Sequence, residues 1–443
     1  MTAERADVVI AGARCAGSVT AAVLARHGHK VIAVDPAHFP STTVSTHLLF
    51  ASGVAELARA GVLDRVEKTG APRLPRAYVG GPGHAASGTY TPIDGIDYGM
   101  CVRRTGLDAA LVDAARDAGA EIREGHRVTG LLWENGRAVG VRVTERGGRE
   151  YDIRANLVIG ADGRRSTVAR LVGAEQPRLS HPNGRACYYA YYEDVKGDWR
   201  DTAAMWLTGR ELGNAFPCDG GLTMVLLMPP IERAGDFRGD LEAEFTRTVG
   251  LVPGLARRLE GCTRASKIVS SVHHPSYFRT SAGPGWALVG DAGHFKDPVT
   301  AQGIRDAVRF GRLLGERVAG VLDDPAALDR AVLEWERTRD AQCLIMYQWT
   351  NLLGRGDGLA YVQMELLRGL TSGPGGVRRI LEVYSRIRDP RETLALRGLV
   401  RAVVRGMAAA SGERRAVVKA TAEVLREMYG HPGEARVLFA QGR

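Results

Sequence analysis

The chain has 443 residues, 45% of them hydrophobic and 25% charged, and a formal net charge of +9 that comes mostly from arginine. This length and composition predict two or three packed units around a large core and exclude disordered and fibrous classes. No apolar run approaches the roughly 18 residues of a membrane span, no leader pattern precedes the first strand, and no basic block is interleaved with aromatics, so neither a transmembrane segment nor nucleic-acid binding is expected.

Residues 7–35 read DVVIAGARCAGSVTAAVLARHGHKVIAVD. Val8 to Ala11 is a β-branched apolar strand, Gly12 to Gly17 a tight turn, Ser18 to His27 a helical pattern, and Val31 to Val34 a second strand ending in Asp35. This strand–turn–helix–strand–acid unit binds a dinucleotide. The helix N-terminus offers N–H groups and a positive dipole end to a pyrophosphate, and Asp35 can accept hydrogen bonds from the adenosine ribose. Gly12, Ala13, Arg14, Gly17 and Asp35 are therefore candidate cofactor contacts. Arg14 stands where the pattern asks for a second glycine. Either its side chain turns away while its backbone still fits, or its guanidinium pairs with the pyrophosphate.

A loop follows, then a predicted helix over 47–60. Residues 70–100 are rich in Gly, Pro and Thr and read as short strands and turns. A helix is predicted over 103–120, with an apolar stripe at Leu107, Leu111 and Ala115. Alternating strands follow, with hairpin turns at Asn135-Gly136 and Gly147-Gly148, and then a buried strand at 157–160. Residues 180–280 read as mostly β. A buried parallel strand returns at 285–290, a helix is predicted from Gln302 to Leu322, and nearly everything beyond 325 is helical. The fold class expected is α/β: a Rossmann-like cofactor domain interrupted by a mainly β substrate domain, with a helical C-terminal region. The expected boundaries are 1–75, 101–175 and 281–325 for the discontinuous cofactor domain, 76–100 and 176–280 for the substrate domain, and 326–443 for the helical region. The basic, amphipathic stretch 391–443 reads as a surface helix, with membrane or partner contact as the alternative.

Six cysteines are scattered without a CxxC pair, and the 11 histidines form no zinc motif. No metal site is expected, and the cysteine usage suits a reducing, cytoplasmic compartment.

Three further stretches complete a pattern: Arg104-Thr-Gly-Leu-Asp108, GADGRRSTVAR (160–170) and GDAGHFKDPVTAQGI (290–304). With the opening fingerprint they resemble FAD-dependent monooxygenases of the aromatic-hydroxylase type, a superfamily shared with flavin-dependent halogenases and geranylgeranyl reductases. The resemblance covers about a third of the chain. It implies that Arg104 contacts the FAD phosphate region, that the backbone of Val128 meets adenine, that Asp162-Gly163 touches FAD and NAD(P)H, and that Asp291 hydrogen-bonds the ribityl chain. It also implies that Pro298 lies beside the reactive flavin carbon, and that Gln302, Gly303 and Ile304 face the flavin pyrimidine edge at a helix N-terminus. The residue-level alternatives are a helix N-terminal surface arginine at 104, a capping Asp at a strand-end turn at 162, an N-cap at Asp291 and a helix-start proline at 298. His47 is the candidate catalytic base, with a structural cap as the alternative.

The chain departs from its relatives in several places. No WxW occurs, which argues against halogenation. LGNAFP (212–217) keeps only the Phe-Pro of the reductases' motif, and Arg305 replaces the hydroxylases' asparagine. The resemblance implies a monooxygenase that uses NADPH or NADH and O₂ through a flavin C4a-hydroperoxide to hydroxylate or epoxidise an aromatic or polycyclic small molecule of natural-product metabolism. With no second dinucleotide fingerprint, the nicotinamide would dock transiently, or a separate flavin reductase would supply electrons. The alternatives are a geranylgeranyl-reductase-like enzyme that reduces or dehydrogenates without inserting oxygen, and a non-catalytic flavin-binding protein.

Overall fold

The computed structural model describes residues 4–393, 396–430 and 433–439. The expected helical end of the chain at 440–443 lies outside them. The fold is mixed α/β, and its organising element is a six-stranded sheet in the order 282–283, 286–288, 157–160, 8–11, 31–35 and 121–124, parallel except at the first edge. Val8 pairs with Leu157 on one side and Val31 on the other, so the first strand sits at the centre. Its four residues are buried, as are those of 31–35 and 157–160. That explains their continuous apolar runs: a parallel strand covered on both faces has no polar side.

The helix Cys15–Arg26 covers one face and packs against the helix Gly303–Val318, which follows the strand at 286–288. Thr20 Oγ1 donates to the Gly311 carbonyl at 3.0 Å across this contact. The chain therefore returns to its first βα unit after almost 300 residues.

The second large sheet is eight-stranded and joins 76–81 and 84–89 to 187–193, 202–208, 211–217 and 222–228. Thr202 pairs in parallel with Arg76, and 202–228 forms a meander. Between 228 and 262 the expected β character gives way to helices at 234–239, 241–250 and 253–258. Asp240 caps the second of these through Ala243 N, and Phe245 and Leu255 fill the space under the sheet. The helix expected from 47 begins only at Ala51, because Leu48–Leu49 pairs with Met100–Cys101 as a short strand. The Asn135-Gly136 hairpin forms as expected, with φ of 48° and 77°.

Beyond 325 the chain is helical: Pro325–Leu353, Leu359–Thr371, Gly376–Tyr384, Leu396–Ala409, Arg414–Gly430 and Gly433–Phe439. The long first helix runs past the N-terminal sheet, where Trp335 Nε1 donates to the Phe310 carbonyl at 3.0 Å. All six cysteines are free.

Candidate flavin and substrate site

The cleft begins at the first turn. Gly12 has φ +97°, and a Cβ there would meet the Ala161 carbonyl oxygen at 2.5 Å. A Cβ on Gly17 would sit 1.9 Å from the Gly12 carbonyl oxygen. Both positions need glycine for close backbone packing. Arg14 does not: its φ of −93° and ψ of −158° are ordinary extended backbone. Its guanidinium turns sideways, with Nη1 donating to Asp108 Oδ2 at 2.5 Å and Nη2 to Ser41 Oγ at 2.9 Å. No side chain caps the helix that starts at Cys15, which leaves its N-terminal N–H groups facing the cleft for an anion. Asp35 is buried. Its Oδ2 accepts from Ala13 N at 2.9 Å and its Oδ1 from Ala37 N at 2.8 Å, which locks the turn onto the second strand.

Arg104 starts the helix Arg104–Asp117 and clamps Asp108 one turn on, with Nε and Nη2 at 3.0 and 2.8 Å from Oδ1. Asp108 therefore carries two arginines, and sequence reasoning passed over it because an i+4 acid on a helix looks like surface pairing. Asp162 is committed: Ser166 Oγ donates to its Oδ1 at 2.5 Å, and Thr167 N and Val168 N donate to its Oδ2. That is the capping role at a strand-end turn, so Asp162 and Gly163 can offer the cleft only backbone. Val128 is buried at a bulge in the 126–145 hairpin.

Asp291 follows the strand at 286–288. Its carbonyl accepts from the Tyr277 hydroxyl at 2.6 Å, while its carboxylate takes no hydrogen bond from the described residues. Burial pushes its pKa up, opposed by Arg164, Arg104 and Lys296. A half-buried carboxylate without a partner at the carboxyl edge of a parallel sheet suits an acceptor for sugar-type hydroxyls. These features (two packing glycines, an uncapped helix N-terminus, Asp35 and an unpartnered Asp291) fit FAD.

Pro298 opens a short turn, Pro298–Thr300, capped by Asp297 through Val299 N, and Ala301 follows in the left-handed region at φ +49°. The Gln302 side chain is tied up: Nε2 donates to the Thr300 and Tyr384 carbonyls, and Oε1 accepts from Arg386 Nε at 2.7 Å. Gly303 and Ile304 begin the helix itself. Behind this turn, His294, Asp306 and Cys343 point three possible ligand atoms at one buried spot. The Lys296 ammonium fills it, 2.7 Å from His294 Nε2 and in contact with Asp306, which Arg305 and Arg386 also reach. Those cations hold the Asp306 carboxyl well below its usual range, against the burial that would raise it.

In front of the turn lies a small apolar cavity of about 60 Å³ that opens outward. Pro298, Val299 and Ala301 form one wall, Leu48 and Phe50 a second, the sheet residues Ala77, Met205 and Phe216 a third, and Ile380, Leu381 and Tyr384 close it from the C-terminal helices. Thr46, Asn214 and two tyrosines are the only polar lining residues among those described. Phe50 and Tyr384 stack at 4.9 Å.

His47 does not line this cavity, although Thr46 and Leu48 do. Its backbone is left-handed at φ +62°, which swings the ring to the other side, against Tyr189 and Tyr191. His47 Nε2 meets the Tyr191 hydroxyl, and Nδ1 is buried without a partner. Burial, reinforced by Arg104 and Arg103, lowers its pKa to about 3, so the ring is neutral at neutral pH. The Tyr191 phenol is pushed up by burial, and the Arg103 guanidinium lies 5.7 Å from its ring centroid, anchored on Asp219. Tyr188, the alternate residue, faces away and stacks on Phe237.

Residues 5–186 match the family model described as FAD binding domain. The chain is 27% identical over 319 residues to digeranylgeranylglycerophospholipid reductase of Methanosarcina mazei, covering 71% of this chain and 75% of that protein. Among solved structures it resembles the flavin-dependent brominase Bmp2, with a TM-score of 0.74 and 17% identity over 90% of this chain and 98% of that one. It also resembles PqsL, a probable FAD-dependent monooxygenase from Pseudomonas aeruginosa, with a TM-score of 0.67 and 20% identity over 82% and 97% of the two chains. At these identities the two structural likenesses establish the fold.

Proposed function

For a chain with an FAD-binding domain, in the oxidoreductase superfamily that holds monooxygenases, halogenases and geranylgeranyl reductases, we propose monooxygenation of an apolar aromatic or polycyclic small molecule. The observation that carries this reading is the cavity itself. Its walls are mostly aliphatic and aromatic, it ends on the Pro298–Ala301 turn, and no charged side chain among the described residues lines it. When bound, FAD supplies electron transfer from NAD(P)H, or from a separate reductase, and activation of O₂. The protein's part is to place the substrate carbon and exclude water. Phe50, Tyr384 and Phe216 supply flat surfaces for a planar substrate. Thr46 and the Asn214 carboxamide supply polar contacts that set its orientation, with one Asn214 Nδ2 hydrogen held by the Leu226 carbonyl.

A second reading, reduction of a carbon–carbon double bond, is favoured by the likeness to the Methanosarcina reductase.

Turnover under ¹⁸O₂ separates the two. Monooxygenation predicts one labelled oxygen in the product. Product that carries no label and also forms under nitrogen would replace this reading with the reductive one.

A further inference from the structure

We propose that the outer face of the two helices Leu396–Ala409 and Arg414–Gly430 docks the protein on an anionic lipid bilayer surface. The inner faces of both helices are already used. Ala402, Ala410, Val417, Ala420 and Val424 are buried with Leu359 and Val362 of the helix Leu359–Thr371. What remains outside has a distinctive composition. Val400 and Val404 lie one turn apart and are 56% and 64% exposed, and Val418 and Leu425 are exposed on the second helix. Eleven large apolar side chains are exposed among the described residues, and six of them fall between 387 and 437. The concentration sets this region apart from the scattered exposure normal for a monomer.

The charges around these side chains are predominantly positive. Arg401, Arg405, Arg414, Arg415, Lys419 and Arg426 are exposed. The first helix contains no acidic residue. In the second, Glu423 is half-buried against Arg355 and lies 4.0 Å from Lys419, and Glu427 follows Arg426 in the sequence. Glu413, between the helices, is turned toward Arg210 and Tyr361. A helix face that mixes valines with an excess of arginines matches the interfacial region of a membrane, where short apolar side chains enter the acyl boundary and guanidinium groups meet lipid phosphates. No helix of the described residues is long and apolar enough to cross a membrane, so docking would be peripheral. The helix Leu359–Thr371 packs on both docking helices and also on Gly376–Tyr384, whose Ile380, Leu381 and Tyr384 wall the cavity. The apolar cavity therefore lies one helix layer from the proposed membrane face. Docking there stands whichever reaction the cavity hosts.

The test is co-sedimentation of the FAD-loaded full-length protein with vesicles. One set is phosphatidylcholine alone and the other carries roughly one-third phosphatidylglycerol. Binding is expected on the anionic vesicles at low ionic strength, with release at high ionic strength. Arg401→Glu/Arg405→Glu should bind at least about tenfold more weakly. Val400→Ser/Val404→Ser should weaken binding a fewfold, and both variants should keep their FAD content. Absence of binding to anionic vesicles, equal binding to both sets, or unchanged binding by the folded charge-reversed protein would each overturn the proposal. Association with polyglutamate but not with vesicles would also overturn it and point to an acidic protein partner. If the charge-reversed protein does not fold, the salt dependence and the valine variant still decide.

Discussion

Arg14 Nη1 lies 2.5 Å from Asp108 Oδ2, so the residue that breaks the glycine pattern of the first turn is paired with an acid 94 positions away. The same carboxylate holds Arg104, and the Cys15 thiol is 3.4 Å from its other oxygen. Asp108 thus joins the dinucleotide turn to the helix that lines the cleft opposite. Because the Arg14 backbone is extended, no strain requires glycine there.

Arg14→Gly should therefore keep FAD. Asp108 would retain Arg104, and the loss is one partly exposed ion pair and a hydrogen bond to Ser41, about 1 kcal/mol of stability. Flavin content after gel filtration and the thermal midpoint check this. Complete loss of FAD would assign the guanidinium to the pyrophosphate instead.

Gly17→Ala should behave in the opposite way. The added Cβ would fall 1.9 Å from the Gly12 carbonyl oxygen, and neither backbone can move without opening the turn. The expected product is colourless or insoluble protein. A yellow Gly17→Ala protein with the wild-type flavin spectrum would contradict the packing described here.

Asp291→Ala should weaken FAD binding by about tenfold or more, the usual cost of losing a hydrogen bond to a charged group. Reconstitution of apoprotein, followed by flavin fluorescence, measures this. Unaltered affinity would remove Asp291 from the cofactor contacts.

The His47 pKa, lowered to about 3, gives a pH prediction with a definite sign. In the unfolded chain this imidazole takes a proton near pH 6.5, whereas the folded protein holds it neutral. Below pH 6.5 the unfolded state binds more protons, so stability falls with acidification, by up to about 1.4 kcal/mol per pH unit, until the folded pKa is reached. His47→Asn tolerates the left-handed backbone and should flatten the urea-denaturation midpoint between pH 6.5 and 4. An unchanged slope would show that His47 is not the group responsible.

Lys296→Met leaves Asp306 with Arg305 and Arg386 but removes its buried ammonium partner. Breaking one member of a buried charged cluster costs about 3–5 kcal/mol. The thermal midpoint should fall by several degrees, and the Pro298 turn, two residues on, should become more protease-sensitive. A midpoint within a degree of wild type would mean that the cluster is redundant.

The local motifs could be read in advance because they depend on short-range rules. The strand–turn–helix unit through Asp35, the hairpin at Asn135-Gly136 and the capped helices follow from residue conformational preference and side-chain reach. The helices at 234–258 were missed because they are short and lie among strands, where their spacing of apolar residues competes with the β pattern around it. His47 shows where local reading stops. Its position beside the second strand's loop suggested a base, but a left-handed backbone at that one residue turns the ring out of the cavity and into a site that suppresses protonation.

By itself the sequence determined a dinucleotide-type βα unit near the start of an α/β fold, since glycine, helix dipole and strand-end acid act over a few residues. Only the tertiary structure decided which groups are free to work. Asp162 is consumed by its own helix, Gln302 by Tyr384 and Arg386, and Arg14 by Asp108, while Asp291 is left open and Ile380 to Tyr384 close the cavity from more than 80 residues beyond Pro298. The reason is physical. A side chain's chemistry depends on what desolvates it and what it is bonded to, and those partners are set by packing between segments distant in the chain.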